Sequence, residues 1–348
     1  MAVLKTKRAR IAGMTCSFPA QEVTTAATAE RLGADARRLF ALTGIESRRI
    51  APPDLCASDL CADAAERLLA ALKWEKESIS ALIFLSQTPD YILPATACLL
   101  QHKLKLSQSC LSFDINMGCS GYVYGLMTAA SLVEAGLGRV LLLVGDTINR
   151  LCSEEDRSVA FLFGDAGSAT ALDGGADQLT FIAGTDGRGA DHLIIRAGQS
   201  RQRATPALCV RQEVEPGNLR SPQELYMNGA EVLAFALREV PPLFAQIQQE
   251  SGMDKDAFDA VVMHQANQFM LDALGRKMGL AKDRVPSSVR HFGNTSCASI
   301  PVTLSCCLRD KLIDSRLRLA MLGFGVGWSW AGGAAEIGPL VMPEPAFI

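Results

Sequence analysis

The sequence predicts an α/β protein built around a mostly parallel sheet with helices on its faces. Three observations carry that prediction. Strand-length apolar runs alternate with segments whose apolar residues recur at helical three-and-four spacing, a pattern that implies right-handed crossovers. The second half of the chain repeats the first in element type. A chain of 348 residues, 49% of them hydrophobic, can also bury a large layered core as two domains or two fused halves.

In order, residues 9–18 read as a first strand and Ala57–Leu72 as an amphipathic helix ending before Trp74. Ala81–Leu85 is a short apolar strand, Ala95–Leu104 a second helix and residues 110–115 another strand. The run Phe113-Asp114-Ile115-Asn116-Met117-Gly118-Cys119-Ser120-Gly121-Tyr122 then reads as a strand end, a tight turn and a helix start. From Val123 the apolar residues fall at Leu126, Met127, Ala130 and Val133, and this helix stops near Gly136-Leu137-Gly138. Arg139–Gly145 is apolar after its first residue, as a central strand buried on both faces should be. Beyond the turn Gly164-Asp165-Ala166-Gly167 comes a strand at Ser168–Leu172, and residues 186–222, polar and rich in Gly, Arg and Pro, form one long irregular region.

Regular structure resumes with a helix over Gly229–Gln249, a strand at Ala260–Met263, helices at 266–279 and 298–312, and strands near 317–323 and 328–337. Cys119 is followed 20 residues later by Arg139 and an apolar strand, and Cys297 is followed 21 residues later by Arg318 and the run Leu319-Ala320-Met321-Leu322. These spacings point to two similar α/β halves, with a site where corresponding helix starts meet.

Composition narrows the function classes. A net charge of −3 provides no basic field for nucleic acid, and no apolar run approaches the ~20 residues a membrane span needs. Lys5, Lys7, Arg8 and Arg10 are followed only by Ile11–Phe18, which Gly13, Thr15 and Ser17 break, so no export signal is expected. A soluble cytoplasmic protein is the expectation. Eleven cysteines in such a chain argue for reduced thiols, and without C-x-x-C spacing no metal site is expected. Most of them, Cys306 and Cys307 included, read as small core residues.

Only Cys119 and Cys297 sit at helix starts. Free backbone N–H groups and the positive end of a helix dipole favour a thiolate, which would pull the Cys119 thiol down from about 8.5 into the reactive range. Gly118 and Gly121 would leave the space around it open. A small buried cysteine beside glycines has the same local sequence. Of four histidines, His264 ends an apolar strand and precedes Gln265-Ala266-Asn267, with Ala266, Phe269, Met270, Ala273 and Leu274 marking the buried face of a helix. A strand-end histidine at a helix start faces a crevice. His102 and His192 lie in polar surroundings. His291 precedes Phe292-Gly293-Asn294-Thr295-Ser296, a glycine turn into a helix with Pro301 in its first turn, where Asn294 taken alone reads as a turn stabiliser.

Together these segments resemble the β-ketoacyl-acyl-carrier-protein synthase III family within the thiolase fold. The resemblance rests on Cys119 in Asn116-Met117-Gly118-Cys119-Ser120-Gly121, His264 in His264-Gln265-Ala266-Asn267, Asn294 in His291-Phe292-Gly293-Asn294-Thr295-Ser296, and the closing Phe324-Gly325-Val326-Gly327-Trp328. Thr43-Gly44-Ile45, Asp156-Arg157 and Phe163-Gly164-Asp165 extend it across nearly the whole chain. Degradative thiolases carry a Cys-His-Cys set and elongating synthases Cys-His-His. Cys-His-Asn is shared with the chalcone-synthase branch, whose chains are usually longer.

The resemblance implies a thiolase fold of two duplicated α/β halves in an α-β-α-β-α core, with residues 1–176 carrying the cysteine and 177–348 the histidine and asparagine. It implies a homodimer with no cofactor beyond the coenzyme A of its thioester substrate. Cys119 would take an acyl group from an acyl-CoA or carrier thioester, with the backbone N–H groups of Cys119 and Val326 as the oxyanion hole. Neutral His264 and the Asn294 amide would donate hydrogen bonds to the enolate oxygen formed when malonyl-acyl-carrier protein loses CO₂. Arg38, Leu93, Arg157, Gly229, Asn267 and Phe269 fall at substrate-binding positions. Several of them depart from the family pattern. Arg38 replaces a tryptophan that stacks on adenine, although its partner arginine is present as Arg157. Leu42 replaces an arginine, Phe269 replaces a basic residue associated with carrier docking, and Leu93 stands where a phenylalanine often ends the acyl tunnel. Two other functions are compatible with the resemblance: transfer of the acyl group to a hydroxyl or amine in specialised metabolism, and a non-catalytic thiolase-fold subunit, which would be expected to have lost the triad.

Overall fold

The protein is described by a computed structural model covering residues 1–348. Its first half runs β1 (Ala2–Phe18), β2 (Glu22–Thr24), α1 (Thr25–Arg31), α2 (Ala36–Thr43), β3 (Ser47–Arg49), α3 (Ala57–Leu72), β4 (Ile79–Leu85), α4 (Thr96–Lys103), β5 (Leu111–Ile115), α5 (Gly121–Glu134), β6 (Arg139–Asp146) and β7 (Ala166–Gly174). The second half begins with β8 (Asp177–Thr185), β9 (Leu193–Ile194), β10 (Gln212–Glu215), β11 (Asn218–Arg220) and β12 (Tyr226–Met227). It continues with α6 (Gly229–Ser251), β13 (Ala260–Met263), α7 (Gln268–Lys277), α8 (Val289–Phe292), α9 (Ser299–Cys307), α10 (Arg309–Asp314), β14 (Leu317–Gly325), β15 (Ser329–Ile337) and β16 (Ala346–Phe347).

The strands are apolar on both faces, and alternation along them divides the core into layers. In β4 and β6, Ala81, Ile83, Leu85, Val140, Leu142 and Val144 join one cluster with α5, while Ile79, Leu82, Phe84, Leu141 and Leu143 join another with α3 and α4. In β13 and β14, Ala260, Val262, Leu319 and Met321 face the same central cluster, and Val261, Met263, Ala320, Leu322 and Phe324 pack beneath α6 and α7. Helices α5 and α9 therefore fill the middle of a helix–sheet–helix–sheet–helix stack. Each fully buried leucine or valine contributes about 1.5–3 kcal/mol, so the sandwiched strands carry much of the stability.

Sheet order shows the duplication. The first half runs β1-β7-β6-β4-β5, and the second runs β8-β15-β14-β13 in the equivalent order. The two first strands join them, with β1 antiparallel to β8 from Ala2↔Ala183 to Ala9↔Asp177.

The sheet is mixed rather than mostly parallel. β4 lies parallel to β5 and β6, and β13 is parallel to β14, but β6–β7, β7–β1, β14–β15 and β15–β8 are antiparallel. The reason is that no crossover helix separates β6 from β7 or β14 from β15; the latter pair is a hairpin. Strand β8 was not legible in the sequence, and β1 begins at Ala2 rather than residue 9, its charged start being half exposed. The helix expected over 298–312 breaks at Leu308 into α9 and α10. Within 186–222 lie two short strand pairings, β10–β11 and part of β9–β12. All eleven cysteines are free, and Cys306 and Cys307 are exposed rather than core residues, because they fall on the outward side of the end of α9.

Candidate active site

The turn after β5 is closed by a 2.6 Å bond from the Gly121 N–H to the Gly118 carbonyl, which places Cys119 just ahead of α5. The hydroxyl of Ser120 meets that of Ser329 at 2.7 Å and ties this turn to the β14–β15 hairpin. Gly118 and Gly121 do not leave open space. A Cβ at Gly118 would sit 2.5 Å from Val326 Cγ1, and one at Gly121 2.5 Å from Leu85 Cδ2, so both glycines allow close packing. The same Gly121 position lies 3.3 Å from Cys297 Cβ, so the two corresponding helix starts do meet.

Cys119 is 8% exposed. Burial pushes its thiol up to about 12, and Asp146 adds to the rise, while the N–H groups of Val326 and Cys119 itself pull it down. The expected low-pKa thiolate is thus corrected. The helix start lies between the two halves of the sheet, where desolvation of the anion outweighs the N–H groups that favour it. The thiol is neutral at rest, with two backbone N–H groups beside its sulfur.

Strand β14 links the cysteine to His264. The His264 N–H bonds the Leu322 carbonyl at 2.8 Å, the Phe324 ring meets the imidazole edge-on at 5.6 Å, and Gly325 lies against Cys119. His264 is buried, and burial lowers its pKa to about 3 against an opposing pull from the Ser296 carbonyl. It is therefore uncharged at neutral pH, as expected for a hydrogen-bond donor to an enolate. Its Nδ1 lies 2.7 Å from Ser299 Oγ.

Asn294 is held through its backbone. Its N–H bonds the Leu162 carbonyl at 2.9 Å and its carbonyl accepts from Gly164 at 3.0 Å, which fastens the turn to the Phe163-Gly164-Asp165 segment of the first half. The side-chain Oδ1 accepts from the Ser296 N–H at 2.9 Å. Turn stabilisation thus occupies the oxygen and leaves the Nδ2 protons available as donors.

Val326, Asn116, Gln87 and Ile148 line a cavity of about 810 Å³ beside this centre. Leu93 does not line it: it is 80% exposed, whereas its neighbours Tyr91 and Ile92, also largely exposed, stand at the cavity wall. Phe269 is 53% exposed at the start of α7 rather than on its buried face. Asn267 caps α7, accepting from the Met270 N–H at 2.8 Å, and Gly229 is exposed at the start of α6. Arg38 is exposed on α2, while Arg157 donates to the Leu32 carbonyl at 2.8 Å in the α1–α2 connection. No three His, Cys, Asp or Glu side chains converge so as to hold a metal ion.

Ser299 and Asp146 escaped the sequence reading. Asp146 is wholly buried and accepts from Ser86 Oγ at 2.9 Å, the Gln87 N–H at 2.7 Å and Cys297 Sγ at 3.2 Å. A lone carboxylate ending an apolar strand and a serine in a small-residue helix start carry no spacing that marks them.

A neutral buried thiol with two backbone donors can form and release an acyl thioester, and a neutral imidazole with a free amide can stabilise an oxyanion without a metal. Comparison with known proteins agrees with that chemistry. A family model described as 3-oxoacyl-[acyl-carrier-protein (ACP)] synthase III matches residues 113–187, and its C-terminal counterpart matches 248–337. The β-ketoacyl-[acyl-carrier-protein] synthase III of Caldanaerobacter subterraneus is 33% identical over 293 residues, 83% of this chain and 86% of that protein. The crystal structure of a 3-oxoacyl-(acyl-carrier protein) synthase from Burkholderia xenovorans is 44% identical, with a TM-score of 0.94 over 100% of this chain and 99% of that one. A second solved synthase III is 40% identical, with a TM-score of 0.89 over 94% of this chain and 99% of the other. With Cys119, His264 and Asn294 all inside the matched segments, the chain belongs to the 3-oxoacyl-[acyl-carrier-protein] synthase III family.

Proposed function

We propose that the protein is an acyltransferase that loads an acyl group onto Cys119 and condenses it with malonyl-acyl-carrier protein. The Cys119 sulfur attacks the carbonyl of an acyl thioester, the carbonyl oxygen takes the negative charge beside the Cys119 and Val326 N–H groups, and the departing thiolate leaves with the cysteine proton. Malonyl thioester then loses CO₂. The electron pair of the broken C–C bond passes into an enolate whose oxygen accepts from His264 and from Asn294 Nδ2. Its carbon attacks the acyl carbonyl, and collapse of the tetrahedral adduct releases a β-ketoacyl thioester and the Cys119 thiolate, which is reprotonated. The observation that carries this reading is the convergence on β14 and the turn that follows it, where Leu322 bonds His264 while Gly325 and Val326 meet Cys119.

Two halves, 1–176 and 177–348, would contribute the nucleophile and the donors respectively. A homodimer is supported by the run of exposed apolar side chains Tyr91, Ile92 and Leu93, which a second copy would cover. A cavity of about 810 Å³ supports donors longer than acetyl, because each buried methylene adds about 0.8 kcal/mol to binding. Arg38 lacks an indole platform for adenine, which supports an acyl-carrier donor competing with acyl-CoA. Exposed Phe269, where a basic docking residue is expected, favours the second reading, in which the acyl group passes to a hydroxyl or amine acceptor. The test is incubation with a panel of acyl-CoA thioesters and malonyl-acyl-carrier protein. A β-ketoacyl carrier with one CO₂ per turnover supports condensation; carrier left as malonyl while an added alcohol or amine becomes acylated supports the second reading and contradicts the first.

A further inference from the structure

A neutral imidazole can donate to a thioester oxygen in only one of its two tautomers. With the proton on Nε2, that nitrogen donates and Nδ1 is an acceptor; in the other tautomer, Nε2 presents a lone pair that repels the oxygen. The environment of Nδ1 therefore decides whether His264 can perform its proposed role.

Nδ1 faces Ser299 Oγ at 2.7 Å, the ring's one side-chain hydrogen bond, and Ser299 is wholly buried. The hydroxyl makes no other side-chain bond. The Ser296 carbonyl, which favours a proton on the ring, can accept one but cannot give one, so the Ser299 hydroxyl is the group placed to donate to Nδ1. Ser299 is itself fixed by a buried network. Its carbonyl accepts from Thr303 Oγ1 at 2.8 Å, and that hydroxyl meets Ser288 Oγ at 2.9 Å. The Ser288 N–H bonds Gln265 Oε1 at 3.0 Å, and Gln265 Nε2 donates to the Met263 carbonyl at 2.7 Å, on either side of His264 in the chain. The network thus ties the histidine's strand end to α9, which carries the serine.

We infer that Ser299 is a positioning residue whose O–H donates to His264 Nδ1, holding the ring proton on Nε2 toward the malonyl thioester. This inference rests on the role proposed for His264. Loss of the serine leaves Nδ1 free to take the proton, and part of the population then cannot stabilise the enolate. A net hydrogen-bond contribution of ordinary size corresponds to a loss on the order of 5- to 10-fold.

The test is ¹⁵N NMR of the full-length protein, in which four histidines are few enough to resolve and His264→Gln assigns the signal. The wild-type ring should show a protonated Nε2 and an unprotonated Nδ1; a protonated Nδ1 overturns the inference without any variant. Ser299→Ala should move the ring toward a tautomer mixture and lower kcat for malonyl-carrier decarboxylation, leaving KM and Cys119 self-acylation unchanged. Ser299→Thr should restore both tautomer and kcat. An alanine variant with unaltered tautomer and rate, or one losing acylation and decarboxylation equally, contradicts the positioning role. Wild-type enzyme that acylates but never decarboxylates malonyl carrier refutes the condensation reading instead, since the NMR result reports on Ser299 independently.

Discussion

Gly325 and Cys119 are in such close contact that a Cβ on the glycine would stand 2.6 Å from the cysteine Cβ and 2.8 Å from its sulfur. The end of β14, which leads into the turn carrying the Val326 N–H, is therefore pressed against the nucleophile, and the absence of a side chain at Gly325 is what permits that approach.

Gly325→Ala should displace either the sulfur or the Val326 N–H. A misplacement of about 1 Å in a reacting centre can cost on the order of 10²-fold, so Cys119 acylation should fall by that order while the protein still folds. Stopped-flow acylation with one acyl-CoA, checked against circular dichroism, reads the effect; an alanine variant that acylates at the wild-type rate would show that the contact is not needed.

Burial that pushes the Cys119 thiol up to about 12 predicts an alkylation rate that climbs about tenfold per pH unit through pH 7–9. Iodoacetamide labelling followed by peptide mapping measures it. A plateau at neutral pH would instead reveal a thiolate stabilised beyond what burial allows.

His264, held near 3, should be neutral from pH 5 to 9, so decarboxylation by pre-acylated enzyme should show no histidine inflection near 6.5. The same shift affects stability. Below about 6.5 the unfolded chain gains a proton on this histidine that the folded chain refuses, so its contribution weakens as pH falls toward 3. Asp165, raised by burial to about 6, acts oppositely from about pH 4 to 6, because there the folded state holds the proton. His264→Gln should accordingly lose less stability than wild type between pH 7 and 4 in urea titrations; an equal loss would contradict the buried neutral ring.

Much of this site was legible because strand ends and helix starts punctuate the sequence sharply. Helix α3 matches its apolar periodicity, and Cys119, His264 and Asn294 all stand at such junctions. What was hidden depends on the surroundings rather than on local pattern. The Cys119 thiol is raised because the two halves of the sheet enclose its helix start, and helix position alone carries no information about that enclosure. Strand β8 alternates too weakly between Asp177 and Thr185 to separate from its turn. Leu93 and Phe269 occupy positions expected to meet substrate, yet the chain leaves both exposed, and local sequence pattern does not distinguish an apolar side chain on the surface from one lining a cavity.

His264→Ala and Asn294→Ala each remove one enolate donor and should lower condensation on the order of 10²–10³-fold while sparing self-acylation. Single-turnover assays that separate the two steps decide this. Normal condensation by both variants would mean that the hydrogen-bonding role is misassigned.

Intact-mass spectrometry across both half-reactions tests the central claim most directly. Incubation with an acyl-CoA should add one acyl mass at Cys119 alone, malonyl-acyl-carrier protein should then remove it as a β-ketoacyl carrier appears, and Cys119→Ala should show neither change. Acylation that persists in Cys119→Ala, or that maps to Cys297, would contradict the account.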